Sequence, residues 1–500
     1  MDLRLKAMKS RRAGLSETCQ SAEGGLRSVI SQLEIGMISL RFDQLTAITG
    51  GTLYNTANAS RSFRGVSIDS RSTKADELFF AIRGVRNDGH DFIDQAIQKG
   101  ASGIVVEFTY QKLDHIRGDV AVVAVHNSHE AMIKLAKNYR ETSRARFVAI
   151  TGSNGKTTTK ELAIGLINAV EEHAYYSPGN LNNLYGVPLA LFAMPADTMV
   201  AVIELGISTP GEMTRLAEVV HPDVIVITNV GPSHLEFLDS VEAVARAKLE
   251  LVKAASEDVP VIVNADDTVL MAEVQKLRGD LITFAVDNEA DVTPESIKRD
   301  DPGATLVTID SHTFRLPLVG KHQVYNLLAA YAAFCTLGLT FENYNTLSLS
   351  LGTAPMRGQI VQKNGIIFFA DCYNANPDSV KAGLEAFFET PGGKRRIVIL
   401  GDMLELGASG AAYHREIGHV LSKHSFDLAV FVGDLSKHAM REVLSSGIEE
   451  HKVRHYDNSQ ECARSMAEYF RENDFVFVKA SRGIGLEAVI DAVEQIEEAD

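Results

Sequence analysis

The stretch Ile150-Thr-Gly-Ser-Asn-Gly-Lys-Thr-Thr-Thr159 decides how the chain is read. It follows the apolar run Arg146-Phe-Val-Ala-Ile150 and opens helical text. In that strand, loop, helix order, backbone N–H groups and a helix N-terminus make a positive hollow for phosphate oxygens. Lys156 supplies a charge for the β- and γ-phosphates, and the Thr157 hydroxyl is a ligand type for Mg²⁺. The loop is shorter than the common GxxxxGK[ST] form, because Ile150 stands five residues before Gly155 and the nearer glycine is Gly152. A plain glycine-rich turn accounts for the glycines, but not for lysine, threonine and flanking elements together.

Downstream of this loop, the runs Phe147–Ile150, Val200–Glu204, Val224–Thr228 and Val261–Asn264 are separated by helix-length text. Continuous β-branched runs alternating with helices predict a parallel sheet covered on both faces. This central unit spans residues 124–355 and includes helical text at Ser128–Tyr139 and a buried helix at Leu327–Leu339. The latter is too short for the ~20 residues of a bilayer span. Residues 356–500 repeat the grammar with strands at Ile366–Ala370, Arg396–Leu400, Leu428–Val432 and Phe475–Val478, which predicts a second doubly wound, Rossmann-like α/β domain. Residues 37–123 are short strands and turns, with a helix near Phe92–Lys99 and the strand text GIVVE, and form a small α/β unit. Residues 1–36 begin basic, lack the apolar core of a secretory signal and read as a disordered extension. The expected architecture is three α/β domains, with a P-loop-type ATPase sheet in the middle.

Composition agrees. At about 150 residues per domain, 500 residues allow three. Lys and Arg number 49 against 65 Asp and Glu, so the net charge of −16 disfavours nucleic-acid or anionic-membrane binding. Cys19, Cys335, Cys372 and Cys462 lie far apart without a CxxC pair, which fits a reduced compartment. A soluble, cytoplasmic chain without membrane insertion is expected.

Further polar groups fall at predicted strand ends, where open α/β sheets bind ligands. Glu204 ends one strand, and His234 follows another after the loop Asn229-Val-Gly-Pro-Ser233; both are metal-ligand types. Lys248, fourteen residues after His234, reads by itself as a surface lysine. Asn182 and Asn183 of Asn180-Leu-Asn-Asn183 read unaided as a cap and turn before Gly186-Val-Pro188. Asn264 of Asn264-Ala-Asp-Asp267 suits a base or ribose, or equally a turn. Arg357, the run Asp371-Cys-Tyr-Asn-Ala-Asn-Pro-Asp378, Lys479 and Ser481-Arg482-Gly483 are polar groups near strands, suited to an anionic substrate where concentrated.

Together, TGSNGKTTT, Glu204, His234 and Lys248 at their spacing, NADD, GKHQVYN and DCYNANPDS resemble the Mur ligase family over residues 37–500. Within it, GNLNN…GVP, YNANPDS and Gly401-Asp-Met-Leu-Glu-Leu-Gly407 are similar to the branch that joins D-alanyl-D-alanine to UDP-N-acetylmuramoyl-tripeptide in peptidoglycan precursor synthesis. The resemblance implies a UDP-sugar domain, a central ATPase and a closing C-terminal domain, in a monomer that uses ATP and Mg²⁺. It implies UDP-sugar or substrate contacts at Ser70, Arg71, Val85, Arg86, Asn87, Asn182, Asn183, Tyr373, Asn374 and Asn376. ATP contacts are implied at Gly152, Ser153, Asn154, Gly155, Lys156, Thr157, Thr158, Asn264, Asn326, Arg357 and Asp371, with His322 in the same segment as Asn326. Lys156, Glu204, His234 and Lys248 match catalytic positions. Thr157, Glu204, His234 and a carbamylated Lys248 match magnesium ligands. Gln323 stands where the family has Asn, and Met356 where a glycine is common before the arginine.

Alternatives differ in class. A relative that adds one amino acid, such as diaminopimelate or lysine, usually carries a DNPR run, which this chain lacks. A folylpolyglutamate synthase is a more distant ligase. A P-loop kinase or switch would turn over or bind ATP without ligation. A UDP-sugar-binding protein with a degenerate loop is disfavoured by the intact Lys156, Thr157, Glu204 and His234.

Overall fold

The computed structural model describes residues 38–493 except 86, 114–115, 117, 301–302, 342–345 and 350–355. The proposed extension 1–36, Arg86 and the division between the second and third units at 355 therefore lie outside the described residues.

The central sheet has six strands in the order Leu281–Phe284, Val261–Asn264, Val224–Ile227, Arg146–Thr151, Val200–Glu204 and Ala174–Tyr176, and all its pairings are parallel. Val224–Ile227 is buried along its whole length, as expected for β-branched text covered on both faces. The chain leaves Arg146–Thr151 to build one side of the sheet and returns to build the other. The loop after that strand therefore opens at the switch point, where a crevice forms. Helices Lys156–Asn168 and Lys321–Thr336 pack together on one face, so the apolar text from Leu327 is buried helix as far as Thr336, three residues short of the expected end.

Beside this sheet lies a second, four-stranded one that sequence patterning did not anticipate. It runs Ser296–Asp300, Ala304–Ile309, His312–Leu316 and Thr346–Ser348, with the first three strands antiparallel. The C-terminal sheet has the order Gln359–Lys363, Ile366–Ala370, Asp474–Lys479, Arg395–Gly401, Leu428–Val432 and Val453–Tyr456. Only its first strand is antiparallel to its neighbour. The N-terminal unit is a mixed five-stranded sheet plus the antiparallel pair Ser39–Arg41 and Ser62–Arg64. Helix Ser128–Thr142, started by the Asn127 side chain accepting from Glu130 N–H, packs on both N-terminal and central elements and ties the two together. Among the described residues, no helix is long and apolar enough to cross a membrane.

Candidate active site

The phosphate loop owes its shape to two glycines. Gly152 has φ +150°, and a Cβ there would lie 1.9 Å from Thr228 Oγ1. Gly155 has φ +79°, and its Cβ would lie 2.1 Å from Asn326 Oδ1. Side chains at either position would push the loop off its support. The loop is pinned from below: Ser153 N–H donates to Asn229 O, Asn154 N–H donates to Asn229 Oδ1, and Thr228 Oγ1 donates to Asn154 O. Lys156, first residue of its helix, donates to Gly152 O at 2.8 Å. Its ammonium thus lies over the loop's own carbonyls, and burial lowers its pKa.

One helical turn on, Lys160 meets the same carboxylate that Thr157 reaches. Thr157 Oγ1 donates to Glu204 Oε2 at 2.8 Å, Asn182 Nδ2 donates to Glu204 Oε1 at 2.8 Å, and Lys160 Nζ lies 3.4 Å from Oε2. Burial pushes the Glu204 carboxyl up, but Lys160, Lys156, Asn182 and Thr157 outweigh it and hold the pKa below its usual range. A buried carboxylate is therefore kept ionised. Lys160 also donates to the carbonyls of Ser177 and Gly179, both at 2.8 Å, which fixes the strand end that carries the Asn182 loop. Lys160 escaped the sequence reading, although its i+4 spacing from Lys156 on one helix was the available signal.

Lys248 is 2% exposed, which excludes the surface-lysine reading. Burial first, and then the charge of Lys156, lowers its pKa well below the ordinary value. Its neutral amine is thereby favoured.

The carboxyl end of the C-terminal sheet faces this loop. Lys479 Nζ lies 2.6 Å from Asp371 Oδ2 and also donates to Asn374 O. Burial raises the Asp371 pKa, opposed by Lys479 and Arg357. The Arg357 guanidinium stacks 3.8 Å over the Tyr373 ring, while its buried Nε has no hydrogen-bond partner among the described residues. Asn376 caps helix Pro377–Glu389 by accepting from Ser379 N–H, and its Nδ2 donates across the cleft to Asn154 Oδ1 at 2.9 Å. The His234 Nδ1 lies 2.6 Å from Glu405 Oε2, a second contact across the same gap.

These groups line one cleft of about 700 Å³. Residues 153–158, Asn182, Asn183, Glu204, His234, Asn264, Asn326, Arg357, Asp371, Tyr373, Asn374 and Asn376 all border it. Gly152 supports the loop and Lys248 is buried; neither borders the cleft. Asn183 also accepts from Gly186 N–H at 2.8 Å, so the cap reading of that loop holds beside its place on the cleft. Asn264 accepts from Asp266 N–H, the turn reading, and likewise lines the cleft.

Gln323, the departure from the family pattern, is buried between two site residues. Its Nε2 lies 3.0 Å from His322 Nε2, and its Oε1 accepts from Asn326 Nδ2 at 2.9 Å. Met356 adopts φ +64°, a left-handed backbone that explains why glycine is common there. The N-terminal candidates lie away from this cleft. Ser70 Oγ donates to Gln95 Oε1 at 2.6 Å, Arg71 pairs with Asp69 at 2.7 Å, and Val85 and Asn87 are exposed.

Comparison with known proteins agrees with this arrangement. Sequence profiles of the Mur ligase family catalytic domain, middle domain and glutamate ligase domain match residues 62–151, 150–334 and 356–482. The UDP-N-acetylmuramoyl-tripeptide--D-alanyl-D-alanine ligase of Bacillus subtilis is 32% identical, over 92% of this chain and 99% of that protein. The protein of the same name from Escherichia coli is also 32% identical, with the same coverage of both chains. Among solved structures, MurF from Acinetobacter baumannii superposes with a TM-score of 0.79 at 26% identity, covering 92% of this chain and 99% of that one. The MurF ligase of Thermotoga maritima in complex with ADP superposes with a TM-score of 0.74 at 28% identity, covering 87% and 99%. A likeness of this extent, through all three units, places the chain in the Mur ligase family.

Proposed function

We infer that this enzyme is an ADP-forming peptide ligase that joins D-alanyl-D-alanine to the terminal carboxylate of UDP-N-acetylmuramoyl-tripeptide. Such a reaction belongs to the cytoplasmic stage of peptidoglycan precursor synthesis. The observation that carries the reading is the single cleft. The phosphate loop, Glu204 and His234 of one sheet face Arg357, Asp371 and the 373–376 run of another. The full-length likeness to relatives bearing that activity in their names selects it over single-amino-acid ligation or a kinase.

A carboxylate is a poor acyl donor because its oxyanion leaves badly. In the first step a tripeptide carboxylate oxygen attacks the γ-phosphorus of ATP, and the bond to the bridging oxygen of ADP breaks. The amine of D-alanyl-D-alanine then attacks the acyl carbon, phosphate departs with the C–O electrons, and the amine gives up a proton. Lys156 leaves its loop carbonyls to neutralise charge on the transferring phosphoryl group. Arg357, whose buried Nε lacks a partner among the described residues, and Asp371 complete the ATP side of the cleft. Asn182, Asn183, Tyr373, Asn374 and Asn376 orient the peptide substrates. Ser70, Arg71 and residues 85–87 hold the UDP-sugar in the domain 37–123, with 124–355 as the ATPase and 356–500 as the closing domain. The chain acts as a monomer.

The residues fit Mg²⁺. This hard cation takes one or two carboxylates together with phosphate oxygens and water, and Glu204 is an ionised carboxylate with Thr157 beside it. Among the described residues no cluster of three His, Cys, Asp or Glu could hold a metal. Thr157, Glu204, His234 and a carbamylated Lys248 would hold the ions, which would supply charge neutralisation for phosphoryl transfer. Carbamylation needs a neutral amine: the Lys248 nitrogen bonds the carbon of CO₂ and releases one proton, and burial provides that amine.

The test is isotopic. With ¹⁸O in the tripeptide carboxylate, one label is expected in the liberated phosphate, and its absence would overturn the acyl-phosphate route. Omitting D-alanyl-D-alanine, or replacing it with single amino acids, is expected to abolish ADP release above background.

A further inference from the structure

The segment Leu235–Leu238 and the loop at residues 404–409 meet across the cleft at several points. Beside the 2.6 Å contact of His234 with Glu405, the Glu236 N–H donates to the Glu405 carbonyl at 3.1 Å. Gly407 packs so closely on the same segment that a Cβ there would lie 3.2 Å from Glu236 Cα. Both members of the side-chain pair hold left-handed backbone, φ 54° at His234 and φ 61° at Glu405. Non-glycine residues keep such conformations only where their surroundings over-determine them, and they gather at functional sites. Here the two strained residues face each other, one from each domain.

We propose that Glu405 is the positioning residue for His234. Its carboxylate accepts a hydrogen bond from Nδ1–H, fixes the tautomer and ring plane, and leaves the Nε2 lone pair for a divalent cation. A carboxylate on the far nitrogen of a ligating histidine orients the ring. Because Glu405 arrives on the C-terminal domain, approach of that domain completes the cation site, and an open enzyme holds His234 unoriented. Glu405 of Gly401-Asp-Met-Leu-Glu-Leu-Gly407 thereby acquires a role distinct from contact with substrate.

The inference rests on His234 as a cation ligand, so both are tested together. Manganese affinity is measured by electron paramagnetic resonance on the full-length protein with ADP. His234→Ala is expected to weaken Mn²⁺ binding about 10-fold or more, and Glu405→Ala about 10-fold. Glu405→Gln retains a side-chain carbonyl able to accept from Nδ1 and is expected to recover most of that loss. If His234→Ala weakens binding while Glu405→Ala does not, the positioning role is overturned and the ligand role stands. If His234→Ala leaves the affinity unchanged, the ligand reading fails and takes this one with it. A Glu405→Gln protein as weak as Glu405→Ala also overturns positioning by hydrogen bonding.

Discussion

Two doubly wound sheets turn their carboxyl ends toward one cleft, yet they furnish those ends in opposite ways. The central sheet places Lys156 and Lys160 around a single carboxylate, Glu204, beside a glycine loop. The C-terminal sheet offers no such loop there: its buried lysine, Lys479, is matched one to one by Asp371 at 2.6 Å. An excess of buried positive charge is unfavourable without an anion, so the central end is built for a ligand that brings phosphates. At the C-terminal end the Lys479–Asp371 pair needs no ligand and acts by position. Residues of the first end should therefore control kcat, and residues of the second should control stability and KM.

The largest effect is expected from Lys156→Ala. Among the described residues its ammonium hydrogen-bonds only the carbonyls of its own loop, and Lys160 is the larger charge beside Glu204, so the fold rests little on it. Loss of a positioned charge at the transferring group costs about 10³-fold in kcat. Steady-state ADP release should show that loss with an unchanged thermal midpoint. A kcat within tenfold of the parent would erase the contrast between the two sheet ends.

Asp371→Asn is expected to act in the other currency. Breaking one side of a buried ion pair leaves Lys479 uncompensated at 2% exposure, a destabilisation of about 3 kcal/mol. Urea denaturation should report it, and adding Lys479→Met should restore part of the stability. If the single and double variants are equally unstable, the pair is not the self-contained unit described above.

What was legible in the sequence follows the same division. Strands Val200–Glu204, Val261–Asn264, Ile366–Ala370 and Leu428–Val432 were readable to the residue, because strands buried on both faces are written in unbroken apolar text. The four-stranded sheet was not, because Ser296–Asp300 reads Ser-Ile-Lys-Arg-Asp and is half exposed, so its text resembles a loop. The glycine loop announced its ligand locally. The Asp371–Lys479 pair spans 108 residues and the His234–Glu405 pair spans 171, and no local pattern encodes a partner that far away. Gln323 shows a third case. Its family departure was visible, but only the fold reveals that the longer amide bridges His322 and Asn326.

Asn376 sharpens the comparison, because it serves both its own helix and the opposite sheet. Asn376→Asp keeps the cap on Ser379 N–H and removes the amide donor to Asn154. One neutral hydrogen bond is worth about 1 kcal/mol, so a rise of about fivefold in KM for ATP is expected at constant thermal midpoint. Asn376→Ala should show the same KM and in addition lose about 1 kcal/mol of stability with the cap. Equal midpoints for the two variants would mean that the cap carries no weight here.

The last effect is seen only in acid and lies where the two ends touch. Burial, with Lys479 adding to it, lowers the His322 pKa from 6.5 to about 4, and its imidazole is held neutral against the Gln323 amide. The unfolded chain binds this proton below 6.5 while the folded one does not, so stability falls as pH drops from 6.5 toward 4 and this residue contributes no slope above that window. The slope from one such group is at most about 1.4 kcal/mol per pH unit. In His322→Asn that part of the acid sensitivity should vanish, leaving a shallower fall of the thermal midpoint across the same interval. The variant isolates the central helix from the charge of the C-terminal sheet, since Lys479 opposes the imidazolium from the other domain. An unaltered pH profile would mean that the two sheet ends, though they share a cleft, do not sense each other's charge through His322.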